Sequence, residues 1–200
     1  MSDHRPPRRP SFQEPAALEA LAERSDPFAE MHAAHESAAI LLQAGQSADD
    51  PEVTRRLVAL AEEVGLPTLA DFWAKRPPHS LPGAMYRLYL LREWMRTDPY
   101  AVAREYAAGV PFTEPNHAVA GIEPPGPDEV RRVADDILRG AFTGDFAMAL
   151  ERASAFCHVV VSGRADLARD SDDLGNAGRL QRLANDLAVC AKLWRTDSLE

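Results

Sequence analysis

His32 and His35, in the run EMHAAHE, stand three residues apart, the spacing that puts two side chains on one face of a helix. Two imidazoles on adjacent turns, with the Glu36 carboxylate beside them, are the start of a metal site, and His158 from a later helical run would supply a third ligand. The local pattern weakens that reading. The residues three beyond Glu30 and Glu36 are Ala33 and Ala39, so the Glu-x-x-His arrangement of di-iron bundles is missing, and there is no His-Glu-x-x-His. His158 also falls to one side of its own apolar stripe, Phe146, Leu150, Ala153, Cys157 and Val160. Histidines packed at a helix interface are the expected outcome, and no cofactor is expected.

A second chemistry is carried by SLPGAMYRLYLLREWMR, residues 80–96. At about 100° per residue, Leu81, Ala84, Leu88, Leu91 and Met95 form one broad apolar face, and Tyr86, Tyr89, Leu90 and Trp94 cover most of the rest. Arg92, Glu93 and Arg96 share a narrow polar sector, expected to be the strip that reaches water. Arg87 instead falls between Leu91 and Trp94, inside the apolar arc. A cation there must be paired or must reach out to the surface. The expected partner is an acid of a neighbouring helix, among Asp135, Asp136, Asp145 and Asp186, with the guanidinium stacked on Trp94. The sharper alternative is an anion pocket in which Arg87 and Arg92, beside Tyr86 and Tyr89, receive a carboxylate or phosphate.

No nucleophile with an activating base is recognisable. Cys157 and His158 are adjacent and point about 100° apart on a helix, so they form no couple. Cys157 and Cys190 are the only cysteines and read as buried thiols. Neither a nucleophile elbow nor a glycine-rich phosphate loop occurs. The balance leans away from an enzyme. A net charge of −9 excludes general nucleic-acid binding, which needs a basic footprint. The helix-Gly-helix outline of residues 50–73 lacks polar and basic groups in its second helix, so it does not read as a DNA-recognition unit. No apolar run approaches membrane-spanning length, and the N-terminus does not read as a secretory signal. The expected location is the cytoplasm.

The elements that must position these residues are helices. Asp-Pro pairs at Asp26, Asp50 and Asp98 open apolar-periodic runs that end at Gly45, Gly65 and Gly109, expected to be left-handed stops. Ser80 is a candidate cap for the arginine-bearing helix. The fold class is all-α: one antiparallel, bundle-like domain of about seven to eight helices over residues 15–200, after a disordered tail at 1–14. Residues 82–96 are expected at its centre, backed by residues 144–161 and 177–194. Residues 109–126, with four prolines, read as a long loop that subdivides the domain, and residues 164–176 as a flexible connector. The functional expectation is a non-enzymatic interaction or regulatory module that binds a protein partner or itself. The alternative is a helical protein or enzyme holding a metal or small anion.

Overall fold

A computed structural model describes residues 27–46, 66–121 and 126–199. Among these, all regular structure is helical: α1 (Pro27–Gln46), α2 (Leu66–Ala74), α3 (Leu81–Thr97), α4 (Pro99–Gly109), a 3-10 turn (Val110–Phe112), α5 (Glu114–Ala120), α6 (Pro127–Thr143), α7 (Phe146–Leu167) and α8 (Ser171–Arg195). The chain divides into a unit of residues 1–33 and a unit of residues 34–200. Residues 27–33 are helical within the first; the second holds the remainder of α1 and every other described helix. The expected tail at 1–14 and the expected helical run from Asp50 to Gly65 lie outside the described residues.

The helix starts follow from short polar side chains. Ser80 is extended, with φ −131° and ψ 162°, and its hydroxyl accepts from the Gly83 N–H at 3.2 Å while donating to the Pro77 carbonyl at 2.8 Å. Asp98 accepts from Ala101 N–H at 3.2 Å, Asp145 from Met148 N–H at 3.1 Å, and Asp170 from the N–H groups of Asp172 and Asp173 at 3.0 and 2.9 Å. Each carboxylate sits where the helix dipole favours negative charge.

Of the glycines read as left-handed stops, Gly65 lies outside the described residues, and Gly45 and Gly109 have another use. Only Gly121 takes a positive φ among the described glycines, at 67°. Gly109 has φ −82°, and the chain runs on from it into the 3-10 turn. Its missing side chain lets α4 cross α7 closely: a Cβ on Gly109 would lie 2.8 Å from the Gly163 nitrogen and closer still to the Val159 carbonyl. Gly45 likewise lies against Phe142, where a Cβ would be 2.8 Å from the Phe142 Cβ.

The central element is α7, which packs against α3, α4, α5, α6 and α8. It is buried on several sides through Leu150, Ala153, Phe156, Cys157, Val159 and Val160. The expectation that residues 82–96 form the centre is therefore corrected. Helix α3 buries Leu81, Ala84, Met85, Leu88, Leu91 and Met95, but its Tyr86–Leu90–Trp94 side is only partly covered. Two connectors are also shorter than expected. Residues 110–120 hold the 3-10 turn and α5, and residues 164–176 are helical except for Ala168–Asp170. Tyr106 explains the first case: fully buried and stacked on Phe156, it meets His117 Nδ1 of α5 at 2.9 Å, which fastens that short helix to the core.

Candidate functional site

Helices α3 and α8 run antiparallel and leave an open groove of about 640 Å³ between them. Its floor is apolar. From α3 come Tyr86, Leu90 and Trp94, four residues apart and so on one side of the helix, together with Leu91; from α8 come Leu180 and Leu183. Four arginines stand around this floor: Arg87 of α3, Arg164 of α7, and Arg179 and Arg182 of α8.

These four cations are compensated unequally. Arg87 donates through Nε to Asp186 Oδ2 at 3.0 Å and through Nη1 to the Gly83 carbonyl at 3.1 Å. Asp186 was one of the acids expected to meet it. His79 Nε2 lies 3.1 Å from the other oxygen of the same carboxylate, so Asp186 bridges a cation and an imidazole at one end of the groove. Among the described residues no hydroxyl or thiol bonds to His79. At the other end Arg164 donates twice to Glu105 Oε2, at 3.1 and 2.7 Å, and its guanidinium covers the Trp94 ring at 5.3 Å. The stacking expected for Arg87 on Trp94 is thus made by Arg164. Arg179 bonds only to the amide oxygen of Asn176, and Arg182 meets no acceptor among the described residues.

The four residues of the expected anion pocket do not converge. Tyr86 and Arg87 line the groove, but Tyr89 and Arg92 do not. Arg92 turns toward α6. Its Nε donates to Asp135 Oδ1 at 2.9 Å and its Nη1 to Glu93 Oε1 at 2.9 Å, while Arg96 donates to both oxygens of Asp135, at 3.1 and 2.9 Å. Of the sector expected to reach water, only Arg92 is covered, at 5% exposure; Arg96 is exposed and Glu93 partly so. Placement on a wheel gives a direction, not what lies there; α6 brings an acid to that side. Burial raises the Tyr89 phenol, with the Glu93 carboxylate adding to the shift.

His32 is exposed and His35 half-buried on α1, whereas His158 on α7 accepts a hydrogen bond at Nδ1 from the Gln181 amide at 3.2 Å. Burial depresses the His158 imidazole, the Gln181 contact opposing it. Among the described residues no three His, Cys, Asp or Glu side chains are placed to share a metal ion. Both cysteines are buried free thiols. Desolvation pushes Cys157 up to about 12 and Cys190 up to about 11, the nearby Arg164 and Arg87 cations pulling the other way. Each stays protonated at neutral pH and is a poor nucleophile.

Arg164, Arg179 and Arg182 were not singled out from the sequence. A partial signal was present: Asn176, Arg179, Leu180, Leu183 and Asp186 recur at three- and four-residue steps, a mixed stripe on one side of α8. No helix of the described residues is long and apolar enough to cross a membrane. Comparison with family models, curated proteins and solved structures gives no significant match.

Proposed function

We propose that the protein is a non-enzymatic interaction or regulatory module of the cytoplasm that holds a protein partner in the α3–α8 groove. The observation that carries this reading is the groove itself. It joins a continuous apolar floor to a rim of arginines, and its Leu90 is left 40% exposed. A helix apolar on all sides is expected to be buried on all sides, and α3 departs from that where the floor lies open. Protein interfaces have this anatomy, an apolar centre enriched in aromatic residues and arginine with a polar rim. Small-molecule sites are deeper and enclose most of their ligand. The small-anion alternative is weaker because Asp186 and Glu105 already occupy Arg87 and Arg164.

The test is selection of random peptides displayed on phage against the wild-type protein, followed by screening on Leu90→Glu, a change at a half-exposed position that the fold should tolerate. Binders lost on Leu90→Glu support the reading. A selection whose binders ignore that change, or that yields none, overturns it. So does sedimentation velocity showing a dimer of the protein that Leu90→Glu dissolves, because the occupant is then a second copy.

A further inference from the structure

Resting on that interaction reading, we infer that the segment held in the groove is an amphipathic helix bearing carboxylates along its flank. The first argument is charge. The chain carries a net −9, yet this groove is bordered by Arg87, Arg164, Arg179 and Arg182 with Asp186 as its one lining acid. Asp186 satisfies Arg87, and Glu105 satisfies Arg164. Arg179 and Arg182 meet no carboxylate among the described residues. They lie three residues apart on α8, about 4.5 Å along its axis. Carboxylates three residues apart on an incoming helix have the same axial step.

The second argument is the shape of the floor. Tyr86, Leu90 and Trp94 form a strip about 12 Å long, a little over two helical turns. Leu180 and Leu183 bound it on the α8 side. A trough between two antiparallel helices suits a third helix, whose apolar residues at i, i+3, i+4 and i+7 fill it in the helix-in-groove mode. The described residues contain no strand whose edge an extended peptide could join. Arg164 and Asn176 line both the groove and a second hollow of about 290 Å³, where Arg104 likewise meets no carboxylate among the described residues, although Glu105 and Asp173 stand there too.

The test uses three synthetic helical peptides of about 15 residues that share one leucine stripe and carry Glu, Gln or Lys on its flank. Binding to the full chain is read by fluorescence anisotropy, with wild type, Leu90→Glu and the double variant Arg179→Glu/Arg182→Glu. The Glu peptide should bind wild type about five- to tenfold more tightly than the Gln peptide, with the difference shrinking in high salt. The double variant should reverse the order and favour the Lys peptide. Both arginines are exposed, so that variant keeps the fold. If the Gln peptide binds as tightly as the Glu peptide and Leu90→Glu abolishes both, the groove is a docking site but the acidic partner is refuted. If Leu90→Glu leaves Glu-peptide binding intact, or no peptide binds, the interaction reading fails as well.

Discussion

Replacing Gly163 by alanine should unfold this protein far more readily than the same change one helix later. Gly163 sits where α7 crosses α4. A Cβ there would lie 2.6 Å from the Gly109 nitrogen and closer still to the Glu105 carbonyl oxygen, whereas ordinary contact begins near 3.4 Å. Both neighbours are backbone, so neither can rotate aside, and the helices must part by roughly 1 Å. Parting them loosens a junction that buries Val102, Tyr106, Phe156, Val159 and Val160. We expect a loss of about 3 kcal/mol, after the ~1 kcal/mol that alanine gains in helix propensity. For a chain of this size that lowers Tm by about 6–12 °C. Gly175 supplies the control, because it lies in α8 and a Cβ added there would meet nothing within 4 Å. Gly175→Ala should gain about 0.5–1 kcal/mol. Urea denaturation followed by circular dichroism reads both. A Gly163→Ala protein as stable as wild type would refute the close crossing.

Asp135→Ala should cost about 2–3 kcal/mol and Arg92→Met about 1 kcal/mol, because the first strips a carboxylate from a buried cation while the second leaves Asp135 bonded to Arg96; equal losses in urea titration would contradict this. Cys157 and Cys190 should resist a thiol reagent at pH 8 until denaturant is added, and prompt labelling of the native protein would count against their burial. Burial raises Tyr106 from 10 to about 12, so the folded state keeps a proton that the unfolded chain releases. Its contribution is complete below pH 10 and falls as pH rises from about 10 to about 12, by up to ~1.4 kcal/mol per unit. The two thiols add to that fall, so the readout is the shallower alkaline slope of Tyr106→Phe, and an unchanged slope would remove Tyr106 from the account.

The helices were legible because capping and periodicity are local. Ser80 and Asp98 announce α3 and α4 in the sequence and perform the expected bonds in the structure. What failed was long-range. Gly109 looks like any glycine after a helix, and only the arrival of α7 makes it a crossing point. Arg87 meets Asp186, one of the acids expected for it, since a cation in an apolar arc demands a partner wherever the chain folds. The coverage of Arg92 depended on which helix lay over its side, and that information resides in α6. The groove needed three helices at once: an apolar strip of α3 that reads as core, a stripe of α8 that reads as solvated, and Arg164 from α7.

The place of α7 at the centre bears on the order in which the protein can be made. Synthesis runs from the N-terminus, so α2 to α6 are complete before residues 146–167 exist. Until then Met85, Leu88, Val102 and Ile137 belong to helices whose common neighbour is still missing. Closure must follow the addition of α7, so a chain released before that point presents its unmet apolar faces to chaperones and proteases instead of a folded domain.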